Sequence, residues 1–260
     1  MTALRLEHVA VARGSRTLLR DVSATFAAGE ATAIVGANGV GKTSLLAVLA
    51  GVLAPAGGTI VANGTPLGAL DPRTRARTVA LVESLEPVLG AMTVAEAVAA
   101  ARFPHHQWWE WQPTQADRYA VDTALERVEM AALRRRHIET LSAGERQRVW
   151  IAMAVAQQAE IILLDEPTSH LDLRYAVETL ELLRALARGG AAVIAVLHLL
   201  EEAATFFDRV IVLGYETVLA DGPPAAALTA ATLERAYGIP VAVEQTPGGL
   251  TFHRGRGVRA

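Results

Sequence analysis

The chain has 260 residues, 52% of them apolar, and a formal net charge of −3. That composition supports a sizeable core, while the slight acidity and the lack of a basic tail argue against a nucleic-acid partner. There is no cysteine, which excludes disulfides and thiolate metal sites and suits a cytosolic protein.

The opening residues MTALRLEHVA mix charged and apolar side chains and do not read as a signal peptide. Residues 3–11 alternate and predict a strand, with a second over 18–26. Residues 31–35 form a short apolar run ending at Gly36, the pattern of a buried strand. Helical spacing over 43–49 stops at Gly51. Residues 44–70 carry no charge and are long enough to cross a bilayer. Gly51, Pro55, Gly57, Gly58, Asn63, Gly64 and Pro66 cut them into short pieces, so helix, turn and strand are expected instead. Residues 59–62 predict a strand closed by the turn pair Asn63-Gly64, and 79–82 are another apolar run.

Residues 92–136 differ. Helical periodicity covers 92–102 and 115–136, separated by an aromatic loop with His105, His106, Trp108, Trp109, Trp111 and Pro113. Arg134, Arg135, Arg136 and His137 read as a solvated helix end, where positive charge suits the dipole. From residue 145 the expected order is helix to 159, strand 161–164, helix 173–187, strand 192–197, helix 200–206 and strand 210–213. Alternating strand and helix predicts an α/β fold with a parallel sheet covered on both faces. Pro223-Pro224 is expected to end a strand and start a helix. Residues 241–260, with three arginines and weak periodicity, read as a short C-terminal appendage.

Two segments carry chemistry. GANGVGKT, residues 36–43, fits G-x-x-x-x-G-K-[ST] between a strand and a helix. Gly36, Gly39 and Gly41 let the backbone wrap closely round an anion, and the amides and helix N-terminus point at phosphate. Lys42 supplies charge to the β- and γ-phosphates of ATP, and the Thr43 hydroxyl is placed to ligate Mg²⁺. Asn38 and Ser44 belong to the same cradle. IILLDEP, residues 161–167, is a buried-strand run with Asp165 at its C-terminal end, where such sheets bind ligands. Asp165 is the second candidate for Mg²⁺, and Glu166 is the candidate to orient or deprotonate an attacking water.

A third segment, LSAGERQRV at residues 141–149, resembles the LSGGQ signature of ATP-binding-cassette (ABC) ATPases. Ser169-His170-Leu171-Asp172 looks like their D-loop, and His198 like their switch histidine. Taken together with the two segments above, the motifs stand in the family's order over residues 4–240. The resemblance implies an α/β P-loop NTPase core with a mostly parallel sheet, an N-terminal antiparallel β subdomain and an inserted α-helical subdomain at about 85–145, within an ATPase domain of residues 1–240. It implies a homodimer sandwiching ATP, in which Ser142, Gly144 and Glu145 of one copy complete the site of the other, with Ser169 and Asp172 beside it. Ser142 also reads as an N-cap. The wording ARFPH, ADRYAVDTALERVEM, QRVWIAMAVAQ and DGPPAAALT is similar to the ATPase subunits of metal-chelate importers. That resemblance implies membrane permease partners, an extracytoplasmic binding protein, a place on the cytoplasmic face of the membrane, and ferric siderophore as cargo. A weakly hydrolysing regulatory subunit and a non-transport ABC ATPase are the alternatives.

The sequence departs from the family pattern. Ser84, after Glu83, stands where a Q-loop glutamine is expected, which implies weaker metal handling and slower hydrolysis; Ser84→Gln should then change kcat and Mg²⁺ dependence. An aromatic residue is expected near Arg13, whose planar guanidinium could instead stack on the base or be a solvated charge. Leu199 replaces a common acidic residue, and Ala143 replaces a signature glycine.

Overall fold

The computed structural model describes residues 2–83, 91–106, 112–247 and 249–254. Strands β1 (Thr2–Arg13), β2 (Arg16–Ala27), β4 (Gly57–Ala62) and β5 (Thr65–Pro66) form an antiparallel sheet in the order β2-β1-β4-β5. Strands β3 (Ala31–Gly36), β6 (Val79–Val82), β7 (Ile161–Asp165), β8 (Ala192–Val196), β9 (Arg209–Gly214) and β10 (Thr217–Gly222) form the second, in the order β10-β9-β3-β8-β7-β6. Its pairings are parallel except at the β9–β10 edge. This is the expected fold class.

Burial explains the order. Every residue of β3, β7 and β8 is buried, as strands covered on both faces must be. Alternate residues divide between two cores. Ile162 and Leu164 face one, and Ile161 and Leu163 face the other, following the two-residue period of a strand. The second core lies between this sheet and the antiparallel one, and it takes in helix α1 (Lys42–Leu49). Short α2 (Pro72–Thr78) precedes β6.

The first core holds the remaining large helices. α3 (Val94–Ala100), α4 (Gln115–Arg127) and α5 (Ala143–Ala156) pack on one another. α6 (Leu173–Arg188) turns Ala176, Thr179, Leu180, Leu183, Leu186 and Ala187 inward at three- and four-residue spacing. α7 (Leu200–Phe206) follows β8, and α8 (Pro224–Ala227) and α9 (Ala230–Tyr237) follow β10. β11 (Val241–Thr246) and β12 (Gly249–Arg254) form a hairpin that packs on α9 and α7.

Two linked expectations need correction. α4 ends at Arg127, because Val128 leaves the helical region and Glu129 takes φ 59°. Arg134–His137 therefore follows a short 3-10 turn over Ala131–Leu133 rather than ending α4. Arg134 pairs with Asp122 at 2.9 Å, and the Arg134 and Arg136 carbonyls accept from the Ala95 and Val94 amides. Within the expected C-terminal appendage, residues 241–246 and 249–254 pair in register as a hairpin. Ser84, Trp108, Trp109 and Trp111 lie outside the described residues.

Candidate active site

The site forms where β3 ends. Gly36 has φ 152°, and a Cβ there would lie 2.5 Å from the Leu213 carbonyl oxygen of β9, so no other residue fits without moving the sheet. Gly41, at φ 112°, is the N-cap of α1 and supplies no capping side chain. By contrast α4, α5 and α6 are capped by Thr114, Ser142 and Asp172. The α1 amides therefore remain available to an anion. A Cβ at Gly41 would sit 3.1 Å from Leu18, which shows how closely β2 packs on the loop. From behind, a hydrogen bond joins the Tyr237 hydroxyl to the Gly36 backbone.

Lys42 is buried, and its Nζ donates to the Gly36 and Ala37 carbonyls at 2.7 and 3.1 Å. Burial pushes its pKa down, against the opposing pull of Glu166 and Asp165. The Thr43 hydroxyl donates to Asp165 Oδ1 at 3.2 Å. Burial raises the Asp165 pKa, the Thr43 bond lowers it and neighbouring Glu166 raises it further.

Glu166 takes φ 51°, the left-handed region that costs a non-glycine residue roughly 1 kcal/mol. Its amide donates to Val196 at the end of β8, and its Oε1 lies 2.5 Å from His198 Nε2. Ser169 donates to the other carboxylate oxygen at 3.1 Å. Two residues after Glu166, Thr168 donates to Glu202 of α7 at 2.8 Å. The loops after β7 and β8 are thus stitched together twice.

One pocket of about 540 Å³ is lined by Arg13, Arg16, Leu18, Asn38, Gly39, Gly41, Lys42, Thr43, Ser44, Glu166 and His198. It gathers most of the residues singled out in the sequence. Arg16 and Leu18 were not foreseen. They reach the pocket because β1 and β2 pair across the turn after Arg13, which sets Arg13 opposite Arg16. Ser142, Gly144 and Glu145 are not on its wall. Ser142 and Glu145 form a reciprocal capping box at the start of α5. Gly144 is buried there, and a Cβ on it would lie 2.4 Å from the Tyr175 ring of α6. Asp172 caps α6 by accepting from the Tyr175 amide at 3.0 Å.

The ABC transporter family model matches residues 19–169. An achromobactin transport ATP-binding protein of Dickeya dadantii is 33% identical over 95% of this chain and 92% of its own. A hemin import ATP-binding protein of Nocardia farcinica is 42% identical over 90% of this chain and 80% of its own. A solved transporter described as of metal-chelate type, in an inward-facing conformation, superposes with a TM-score of 0.84 at 25% identity, covering 97% of this chain and 96% of that one. The chain belongs to the ABC transporter family, as an ATPase of that family. The resemblance to the metal-chelate importer group holds. Among the described residues no helix is long and apolar enough to cross a membrane.

Proposed function

We propose that this chain powers an importer that carries a chelated metal across a membrane, with a ferric siderophore as cargo. Two copies sandwich ATP on the cytoplasmic face and dock on membrane permease subunits, to which an extracytoplasmic binding protein delivers the chelate. The observation that carries this reading is the convergence of Lys42, Thr43, Glu166 and His198 on one pocket.

The residues present fit a magnesium nucleotide. Thr43 and Asp165 offer adjacent hard oxygens, and Mg²⁺ takes one or two protein oxygens plus phosphates and water rather than a full protein cage. When bound, the ion neutralises charge on the β- and γ-phosphates. The other roles fall to the chain itself. Gly36, Asn38, Gly39, Gly41 and Ser44 shape the phosphate cradle. Lys42 exchanges its carbonyl partners for phosphate oxygens. Glu166 orients the attacking water, and His198 holds the Glu166 carboxylate and the γ-phosphate side of the site. Ser142, Gly144 and Glu145 of a second copy close that side, with Ser169 and Asp172 beside it.

The test is ATP hydrolysis and uptake in vesicles carrying the permease. Turnover that disappears in Glu166→Gln, with uptake of ferric siderophore, supports the reading. Hydrolysis without a permease that co-purifies would overturn the transport role. Hemin is the second cargo to assay, since the hemin import protein named above is 42% identical.

A further inference from the structure

We infer that α9 and the β11–β12 hairpin brace the active site from outside it: Tyr237 seats the phosphate loop, while Leu250 and Phe252 of β12 seat the helix that follows His198, so all three are positioning residues for hydrolysis. The inference rests on the roles proposed above for Glu166 and His198, and it gives a task to a part of the chain that those roles leave idle.

Tyr237 is the last residue of α9, and that helix is fixed at both ends. Thr229 caps it by accepting from the Thr232 amide at 3.2 Å, and Gly238 closes it at φ 70°. Leu233 and Ala236 are buried three residues apart, and the helix packs on β9 and β10. Held in this way, α9 presents Tyr237 half-buried against the larger core, with its hydroxyl bonded to the Gly36 backbone. Burial raises the phenol's pKa, so the group is a neutral hydroxyl at neutral pH. Gly36 pairs with Leu213 of β9, and its carbonyl accepts from Lys42 Nζ at 2.7 Å. The residue that Tyr237 steadies therefore steadies the lysine. A cradle built from backbone amides works only where its first glycine is held in place.

The hairpin acts on the other loop. Val243 and Phe252 are register partners, and the two-residue period of a strand puts Val241, Val243, Leu250 and Phe252 on one face. All four pack against the core that contains Ala203 of α7, and β12 packs on α7 itself. That helix needs the support. It has seven residues, Leu199 at its N-cap offers no capping side chain, and Ala203 is its one buried residue. A helix so short takes its order from tertiary packing. His198 directly precedes Leu199, so the seat of α7 sets the imidazole against Glu166, 2.5 Å away.

The test uses the full chain with Mg²⁺. Kd for ATP comes from titration calorimetry, kcat and KM from phosphate release, and Tm is recorded for each variant. Tyr237→Phe keeps the ring and removes the hydroxyl, and it should raise Kd and KM about fivefold with kcat held, the effect of losing one hydrogen bond. Leu250→Ala or Phe252→Ala should lower kcat about tenfold with Kd held, and Phe252→Leu should recover most of that loss. In a His198→Ala background, Phe252→Ala should cost less than about a further twofold, because the group it positions is gone. A tenfold loss in both backgrounds, or variants that lower Tm while Kd and kcat keep the parent's values, overturns the inference and leaves the ATPase reading intact. A parent chain that fails to hydrolyse ATP overturns both.

Discussion

His198 Nε2 lies 2.5 Å from Glu166 Oε1, so the loops after two adjacent strands meet at the carboxylate that faces the nucleotide pocket. That contact and the left-handed backbone of Glu166 together fix where the carboxylate points. Glu166→Gln should keep nucleotide affinity within about threefold and lower kcat about 100-fold or more, the range for loss of a general base. His198→Ala should do the same to a lesser degree. Single-turnover hydrolysis with a parallel binding titration checks both.

The second stitch, Thr168 to Glu202, lies off the pocket wall yet closes a ring with the first. Ser169 ties back to Glu166, and Glu202 stands four residues after His198. Glu202→Ala should lower kcat roughly tenfold with KM unchanged, as small misplacements of reacting groups do. Glu202→Gln, which keeps an acceptor for Thr168, should recover most of it. Equal losses in both variants, or a change confined to melting temperature, would remove Glu202 from a positioning role.

Gly144 is held against the face of Tyr175. Gly144→Ala should destabilise the chain by about 1–3 kcal/mol, the cost of overpacking a filled site. Adding Tyr175→Ala should return most of that loss. Urea unfolding of the single and double variants measures the coupling directly.

Asp117 is buried with Arg102, and burial opposes its ionisation. Hydrogen bonds from Thr114, Arg102 and His106 outweigh that and hold its carboxyl well below the usual carboxylate range. A carboxyl whose folded pKa is depressed contributes stability above its unfolded pKa and loses it as pH falls towards the folded one. Asp117→Asn should therefore cost about 3 kcal/mol at pH 7, as breaking a buried pair does. The gap to the parent chain should narrow as pH falls below about 4. A pH series of urea midpoints tests the sign.

Much of this was written locally in the chain. The phosphate loop is one contiguous segment, and the apolar runs at β3, β7 and β8 can be read because buried strands need no alternation. α2 escaped because PRTRART has no apolar stripe. Its signals were the Asp71 cap and Pro72 at the first position. The terminal hairpin escaped because half-buried strands lack a strong pattern, whereas Pro223-Pro224 marked the end of β10 and the start of α8. At the site, Arg16 and Leu18 join through hairpin pairing, and Thr168 meets Glu202 across 34 residues. Such contacts have no signature in nearby sequence. The capping box at Ser142 could be read as a helix start, but the Tyr175 ring seated on Gly144 could not.

That seat has a consequence for how two copies would keep time. The start of α5 and the start of α6 are jammed together at Gly144 and Tyr175, and Asp172 ties the second to the D-loop segment that leads back to Glu166. In the proposed sandwich, the surface that one copy lends to its partner's ATP would be geared to the loop that works on its own. In a sandwich of two such chains the sites are then not separate engines. Spending the nucleotide at one would then shift the grip on the other, and the proposed pair would run as an escapement rather than as two clocks.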